Sequence, residues 1–243
     1  MSKIKIEEIR KEAEQHGWEV LSDTYQNLNT EMIFKCDEGH QVFAPFKNIR
    51  NRWICPICER NQFKNQKLEV VPKKDGVIRV LALDQATHIS GYSVFDDGQL
   101  IKSGTFQTSL SGEIERDNMI KMWVLSMIEA FKPDIVGLED IQLQQFEGRS
   151  VGVTTYKTLA HLQGILMEAI FEAKIDYKIV PPATWRAHCG VKGRTKADKK
   201  SSMQFLVKQW YDVSVTNDES DAIGIGKYVS DNFGKKVKIM SWE

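Results

Sequence analysis

The stretch of sequence that decides the fold is residues 80–94, Val80-Leu81-Ala82-Leu83-Asp84-Gln85-Ala86-Thr87-His88-Ile89-Ser90-Gly91-Tyr92-Ser93-Val94. A nearly continuous apolar run begins at Val77 and ends at Leu83, within this stretch. Such a run predicts a strand buried on both faces. The next residue is Asp84, which puts a carboxylate at the carboxyl end of the strand. Open α/β sheets place their sites at that edge, so Asp84 is a candidate site residue.

The segments that follow predict the fold class. Residues 91–95, an Asp97-Gly98 turn and residues 100–106 extend the first strand into a three-stranded antiparallel meander. Apolar periodicity predicts helices over residues 112–131, 155–173, 197–210 and 219–229, and strands over residues 134–139 and 177–180. Three strands followed by alternating helices and strands indicate an α/β domain, a mixed sheet flanked by helices.

The overall charge conceals a strong local pattern. The 33 lysine and arginine residues balance 33 aspartate and glutamate residues, and this zero sum argues against a dedicated nucleic-acid binder. However, the stretches from Lys47 to Lys67 and from Lys178 to Lys208 are basic, and acidic residues elsewhere cancel them. Nucleic acid therefore stays among the candidate ligands, because local patches decide binding. The hydrophobic share of 42% excludes a mostly disordered chain.

Other features of the chain bear on its location. No apolar run approaches the length of about 20 residues that a membrane span needs. The first residues have no long apolar stretch, so we expect no secretory signal. The four cysteines suit a reducing compartment better than a disulfide framework. We expect a cytoplasmic protein with no membrane partner.

Three cysteines and one histidine have the spacing of a metal site. Cys36 and His40 form one pair, and Cys55 and Cys58 flank Pro56-Ile57 in a second pair. Thiolate and imidazole ligands favour zinc in tetrahedral geometry, and four protein ligands predict one structural ion. The pattern resembles treble-clef or ribbon modules attached to DNA-processing proteins. The alternative is scattered cysteines and a surface histidine, and Cys189 is interpreted as a buried bystander.

The segment around the zinc pattern is basic. Trp53 and Phe63 are interleaved with the cations, and cations beside flat rings suit a nucleic-acid surface. A solvated basic face is the alternative. The candidate DNA-binding cations of this segment are Lys47, Arg50, Arg52 and Arg60.

Four carboxylates form a second constellation. Asp84 and Glu139 each end an apolar strand, and Asp218 and Asp221 lie three residues apart at the start of a helix, on one helical face. Converging carboxylates repel unless cations are present, and oxygen ligands select Mg²⁺ or Mn²⁺. Two such ions can carry out phosphodiester hydrolysis. Any one of these acids alone is commonly a turn residue, but their order along the chain is more specific.

Residues 77–232 resemble the RuvC family of Holliday junction resolvases, within the ribonuclease H-like superfamily. The resemblance rests on residues 81–94, on Lys132-Pro133-Asp134-Ile135-Val136-Gly137-Leu138-Glu139 and on Asp218-Glu219-Ser220-Asp221-Ala222-Ile223-Gly224. It implies a two-metal nuclease that acts as a homodimer on branched DNA, with two Mg²⁺ or Mn²⁺ ions in each active site. Gln85-Ala86 departs from the family's usual Pro-Gly, which indicates a divergent, phage-type member.

The resemblance also implies further site residues. Lys196-Ala197-Asp198-Lys199-Lys200 resembles a segment that contacts DNA near the scissile phosphate, and either Lys199 or Lys200 is the counterpart of the active-site lysine. Phe146 lies in a loop that approaches the junction in the family, where it either stacks on a base or is buried. Gln163 is a core or dimer-face residue. The remaining candidate DNA-binding residues are Arg149, Arg186, Arg194 and Lys196.

The predicted organisation is a zinc-binding, DNA-contacting module in residues 1–72, a linker at Pro72-Lys73-Lys74-Asp75-Gly76, and a RuvC-like nuclease domain in residues 73–243. The predicted function is Mg²⁺-dependent, structure-selective DNA cleavage, either of Holliday junctions or of flaps and forks. One alternative is a non-catalytic branched-DNA-binding protein with a relic nuclease fold. Another is an ATP-handling protein of the actin and sugar-kinase type, for which the chain is short.

Overall fold

The computed structural model describes residues 4–50, 52–65, 68–110, 112–146 and 149–233, without the side chains of residues 63–65, 144–146 and 149–151. The chain divides into two compact units. The first comprises Met1–Lys67 with Ser109–Met119, and the second comprises Leu68–Thr108 with Ile120–Glu243. The sequence did not predict that residues 109–119 group with the first unit, and the domain boundary at residue 72 stays a prediction.

The first unit is built from a short antiparallel sheet and three helices. Its elements are α1 (Ile6–Gln15), β1 (Glu19–Val20), β2 (Glu31–Lys35), β3 (Gln41–Pro45), α2 (Phe46–Ile49) and α3 (Pro56–Asn65). The strands lie in the order β1-β2-β3. Ile6, Ile9 and Ala13 recur at helical spacing along α1, and Ile9 and Ala13 are buried.

A compact core fills this unit. Strand alternation turns Met32 and Phe34 inward, where they pack with Ile9 and Phe46. Trp53 joins this core, with ring centroids 6.3 Å from Phe34 and 6.1 Å from Phe46. Trp53 is only partly buried there, so its predicted contact with nucleic acid stays a prediction. The side chain of Phe63, the other predicted ring, lies outside the described residues.

The second unit contains a five-stranded mixed sheet. Its strands are β4 (Arg79–Asp84), β5 (Ile89–Asp96), β6 (Gln99–Gln107), β7 (Ile135–Glu139) and β10 (Asp176–Val180), in the order β10-β7-β4-β5-β6. β7 is parallel to β4 and to β10, whereas β5 is antiparallel to both β4 and β6. The predicted meander is confirmed, and so is the predicted mixed sheet. A separate two-stranded ribbon comprises β8 (Gln144–Phe146) and β9 (Arg149–Val151).

Helices cover both faces of this sheet. They are α4 (Glu113–Phe131), α5 (Val153–Glu172), α6 (Pro182–Cys189), α7 (Lys196–Tyr211) and α8 (Asn217–Phe233). Tyr92 on β5 contacts Trp123 of α4, whereas the next residue, Ser93, donates from its hydroxyl to the Ala222 carbonyl of α8 at 2.7 Å. Since successive strand residues face opposite sides, α4 and α8 lie on opposite faces. The four predicted helices are confirmed, but α6 was not predicted.

β4 is buried along its length, as the apolar run predicted, but it begins at Arg79 rather than at Val77. The Arg79 side chain is fully buried, and its guanidinium donates to both carboxylate oxygens of Asp96 at 2.6 and 2.7 Å. It also donates to the carbonyls of Val71 and Phe131. These hydrogen bonds satisfy a buried charge that would otherwise destabilise the sheet.

Glycines let α8 lie directly on the sheet. A Cβ atom at Gly91 would lie 1.9 Å from the Asp218 carbonyl oxygen, so only glycine fits between β5 and the start of α8. Gly224 and Gly226 make similarly close contacts, with the Trp185 ring and with Ser93 and Phe95. Gly91 is also the ladder partner of Asp84. The close approach therefore brings the first turn of α8 to the end of β4.

We expect Gly91→Ala to destabilise the protein by about 1–3 kcal/mol, because the added methyl group forces α8 away from β5. Gly164→Ala is the matched control, since nothing lies within 4 Å of a Cβ on this exposed glycine of α5. That control should stabilise by about 0.5–1 kcal/mol, because alanine loses less backbone entropy on folding. Urea denaturation measures both, and wild-type stability in Gly91→Ala would contradict the packing argument.

Candidate active site and zinc centre

The four predicted acidic residues line one cleft of about 650 Å³ in the second unit. Asp84 and Glu139 end the neighbouring parallel strands β4 and β7, one residue beyond the last ladder pair between these strands, Leu83 with Leu138. Asp218 and Asp221 lie in the first turns of α8. The carboxyl ends of parallel strands share one sheet edge, so the sequence pattern correctly identified residues that come together.

Burial raises the pKa values of three of these carboxyl groups, those of Asp84, Glu139 and Asp221. Burial raises the pKa of Asp84 well above its usual value, and the nearby charges of Glu139, Asp221 and Asp218 raise it further. Burial likewise raises the pKa of Asp221 to about 6 and the pKa of Glu139. A cluster of this kind calls for a compensating cation. Carboxylate oxygens are the ligands that Mg²⁺ and Mn²⁺ prefer, so this donor set fits either ion.

Cationic side chains line the same cleft, namely Arg186, Lys196, Lys199 and Lys200. Lys200 Nζ lies 3.3 Å from Asp218 Oδ1, whereas Lys199 is exposed. Both lysines follow the start of α7, where the Thr195 hydroxyl accepts a hydrogen bond from the Asp198 amide. Asp198, the acidic residue of the basic stretch, thus completes a helix cap. Arg194 is exposed next to that cap.

Two residues of α6 hold the Glu139 carboxylate. The indole Nε1 of the fully buried Trp185 donates to Glu139 Oε1 at 2.9 Å. Arg186, predicted as a DNA-binding residue, places Nη2 3.4 Å from the same oxygen and 3.8 Å from Asp221 Oδ2. Trp185 was not predicted, because Pro181-Pro182 ends the preceding strand and no helix was expected after it. Proline is also common at the first position of a helix, and that signal was available.

The backbone of Glu139 is held by two glutamine side chains. Gln85 Nε2 donates to the Glu139 carbonyl at 2.5 Å, and the Glu139 amide donates to Gln85 Oε1 at 3.2 Å. Gln163 of α5 donates to the same carbonyl at 2.8 Å. Gln163 was predicted as a core or dimer-face residue, and no local signal in the sequence indicates this contact.

The predicted zinc ligands form a compact group in the first unit. The ligand atoms of Cys36, His40, Cys55 and Cys58 all lie within 4.8 Å of one another, the one such group of three or more in the described ranges. The Cys36 and Cys58 sulfur atoms are 3.8 Å apart. A tetrahedron with metal–sulfur bonds of about 2.3 Å has edges of about 3.8 Å, so the group could hold a zinc ion.

Local structure explains why these ligands meet. Cys36 and His40 lie at the two ends of the turn between β2 and β3, and the Cys36 amide donates to the His40 carbonyl at 3.0 Å. Cys55 precedes α3, and Cys58 lies in its first turn. Burial and the neighbouring Cys55 and Cys36 sulfur atoms raise the pKa of Cys58 to about 12. A bound cation would reverse this preference, because it stabilises thiolates.

The predicted DNA-binding cations of the first unit are all exposed, and three have protein partners. Lys47 donates to the Asn29 side chain at 2.6 Å, Arg50 pairs with Glu12 at 3.0 Å, and Arg52 donates to the Ser109 carbonyl at 2.7 Å. Arg60 lies on α3. In the second unit, Phe146 and Arg149 are ladder partners in the β8–β9 ribbon, but their side chains lie outside the described part. Cys189 is buried, as predicted.

We expect the stability of the metal-free protein to fall as the pH rises above about 4, where unfolded aspartate begins to ionise. Folded Asp84, Glu139 and Asp221 have raised pKa values, so the folded state holds more protons and loses stability through that window. The pKa of Asp221, about 6, alone corresponds to roughly 3 kcal/mol.

Asp84→Asn should therefore melt at a higher temperature than wild type at pH 8 in EDTA, and at nearly the same temperature at pH 4. Adding Mg²⁺ at pH 8 should stabilise wild type more than this variant. Thermal melts at the two pH values, with and without Mg²⁺, measure these differences. Equal melting temperatures for the two proteins at pH 8 would contradict the repulsion that we describe.

We also expect the purified protein to contain about one zinc ion per chain, because the four ligands close one tetrahedral site. A Cys55→Ser, Cys58→Ser double variant should lack the metal and unfold more easily. Cys189→Ser is the control, since Cys189 is buried elsewhere and should leave the zinc content unchanged. Elemental analysis decides, and equal zinc in the double variant and wild type would overturn the ligand assignment.

No helix in the described ranges is both long and apolar enough to cross a membrane. No protein-family model matches the chain, and no curated protein matches it. Among solved structures, the chain is similar to Thermus thermophilus RuvC in complex with a Holliday junction substrate, with 18% identity and a TM-score of 0.48 over 62% of this chain and 90% of that one. A second Thermus thermophilus RuvC structure gives 18% identity and a TM-score of 0.47, over 62% and 92%.

The yeast mitochondrial Holliday junction resolvase Ydc2 is similar over 70% of this chain and 82% of its own, with 11% identity and a TM-score of 0.45. Likenesses at this level concern the course of the backbone and say nothing about chemistry. The four carboxylates of the cleft, together with the cations beside them, are the features from which chemistry can be argued.

Proposed function

We propose that this protein is a Mg²⁺-dependent, structure-selective DNA endonuclease that cleaves Holliday junctions or related branched DNA. One observation carries the proposal: four acidic and four cationic side chains line the same cleft. The acidic residues are Asp84, Glu139, Asp218 and Asp221. Carboxyl groups with raised pKa values destabilise the folded protein when they ionise, unless a bound cation stabilises the carboxylates. A site that binds both divalent cations and phosphates provides such a cation.

The residues divide the work of hydrolysis by position. Two divalent ions, when bound, supply an activated water and stabilise the leaving oxygen of a phosphodiester. Asp84 and Glu139, at the ends of β4 and β7, would hold these ions at the sheet edge. Asp218 and Asp221 would complete the site from α8. The cleavage would be in line and leave 5′-phosphate and 3′-hydroxyl ends.

The cations would handle the DNA backbone. Lys200 already lies beside Asp218, and Lys199 and Lys196 are exposed on the same helix, so a phosphate entering the cleft would meet positive charge. Such groups hold the scissile phosphate and stabilise the negative charge of the transition state. Lys200, which contacts an acidic residue of the site, is our candidate for the transition-state contact. Lys199 is our candidate for DNA binding.

The substrate class comes from the sequence motifs, which resemble those of the RuvC family. We propose branched DNA as the ligand and a homodimer as the active species, because two phosphates on a junction need two active sites. The zinc-binding unit would add DNA affinity or hold the dimer. Its exposed cations Lys47, Arg52 and Arg60 are the candidate phosphate contacts of that unit.

One observation favours a second candidate, a branched-DNA-binding protein without nuclease activity. Arg186 Nη2 lies within 4 Å of both Glu139 and Asp221, at 3.4 and 3.8 Å, so a protein cation already neutralises part of the cluster. A protein that only binds DNA would keep the contacts of Arg186 with these two carboxylates. In a nuclease, a metal ion would have to replace some of these contacts.

Cleavage assays separate the two candidates. Wild-type protein with Mg²⁺ should nick a synthetic four-way junction, and Asp84→Asn should bind the junction with similar affinity but cleave it at least about 100-fold more slowly, because one carboxylate ligand is lost. Four-way, three-way, flap and plain duplex DNA should be compared under the same conditions.

Preference for flaps over four-way junctions would assign the protein to the flap and fork class. Wild-type binding without cleavage in either Mg²⁺ or Mn²⁺ would support the non-catalytic candidate and end the enzyme proposal. Glu168→Gln, which removes an exposed carboxylate paired with Lys121 on the surface, is the control and should cleave like wild type.

A further inference from the structure

The Gln85 side chain extends the pairing of β4 with β7 beyond the end of their backbone ladder. The parallel ladder between β4 and β7 ends at Leu83 and Leu138, one residue before the two carboxylates. Beyond that point, Gln85 offers its amide to the Glu139 backbone and makes both a donated and an accepted hydrogen bond, at 2.5 and 3.2 Å. The pair has the same donor and acceptor complement as a backbone ladder step.

This link lies beside the acidic cluster, because Gln85 lines the same cleft. Asp84 and Glu139 end adjacent strands, so their carboxylates repel each other whenever both are ionised. Gln85 is 4% exposed, so water competes weakly for its hydrogen bonds. The amide is neutral, and it therefore restrains the strands without adding charge to the cluster.

We propose that Gln85 is a positioning residue, which fixes the separation of the Asp84 and Glu139 carboxylates by holding the Glu139 backbone. The inference rests on the proposed function, because it concerns the same cation-binding acids. Gln85 acts through the Glu139 backbone, and Trp185 holds the Glu139 carboxylate independently at 2.9 Å. Gln163 shares only the Glu139 carbonyl, so it does not join β4 to β7.

The test is Gln85→Met, which keeps the length of the side chain but removes both hydrogen bonds. Mn²⁺ binding to the purified protein, measured by calorimetry and by electron paramagnetic resonance, should weaken about 10–100-fold, as is usual when a group that orients metal ligands is lost. The kcat for junction cleavage should fall by a similar factor, with KM for the junction unchanged. Gln85→Asn, which keeps the amide but is one methylene shorter, should give a smaller loss.

Asp134→Asn is the matched control. Asp134 joins the same two strands at their opposite ends, where its carboxylate accepts a hydrogen bond from the Arg79 amide at 2.6 Å and pairs with Lys73. It should lower the melting temperature as Gln85→Met does but leave Mn²⁺ affinity and kcat unchanged. Circular dichroism and thermal melts confirm that each variant is folded.

Each outcome bears on the inference. If Gln85→Met bound Mn²⁺ as tightly as wild type, the inference about Gln85 would be overturned but the proposed function would not. An equal loss of Mn²⁺ affinity in Asp134→Asn would also overturn the inference, because it would indicate general loosening of the sheet. A rise in KM with unchanged kcat would assign Gln85 to substrate contact instead. Wild-type protein that binds no Mn²⁺ would overturn the proposed function, and this inference with it.

Discussion

The candidate site depends on one close approach, that of the α8 backbone to β5 at Gly91. There is no room for a side chain between Gly91 and the Asp218 carbonyl, and Gly91 is itself the ladder partner of Asp84. The contact therefore fixes the start of α8 against the strand that carries the first carboxylate. Asp218 and Asp221 reach the end of β4 because the helix begins at that point. With any larger residue at position 91, the two halves of the acidic cluster would be separated.

This packing brings together carboxyl groups that destabilise the folded chain when they are ionised. Asp84 and Asp221 are buried carboxyl groups with raised pKa values, and neither gains enough from neighbouring cations to offset the cost of burial. The stability to hold them comes from elsewhere in the second unit, from the apolar sheet and from the fully buried Arg79, whose guanidinium has five acceptor atoms in Asp96, Val71, Pro72 and Phe131. Structural stability is thus used to maintain a local charge arrangement that is unfavourable by itself. Arrangements of that kind are characteristic of functional sites.

The sequence predicted the residues whose role follows from their place in a strand or helix. Asp84 and Glu139 could be identified because a charge ends an apolar run, and Asp218 and Asp221 because their spacing puts them on one helical face. Gln85 and Gln163 could not, since their hydrogen bonds go to the backbone of Glu139, a residue far away in sequence, and backbone acceptors leave no pattern. Trp53 lies among cations in sequence, whereas in space its ring contacts are His16, Trp18, Phe34 and Phe46. Composition identifies what a segment carries, whereas only packing decides which side chains remain exposed.

The four carboxylates are restrained to different degrees, and the difference follows from their elements. Glu139 is held at its amide, its carbonyl and one carboxylate oxygen by Gln85, Gln163 and Trp185. Asp218, by contrast, has a side chain that is 32% exposed and is paired with the long, flexible Lys200. The Glu139 side chain is therefore restrained at several atoms, whereas the Asp218 side chain can adjust although its backbone is fixed against β5. An entering phosphate or cation that displaces Lys200 from Asp218 would break a single, partly exposed contact of 3.3 Å. Displacing Glu139 would instead break several hydrogen bonds, so we expect Glu139 to move less than Asp218 when a ligand binds.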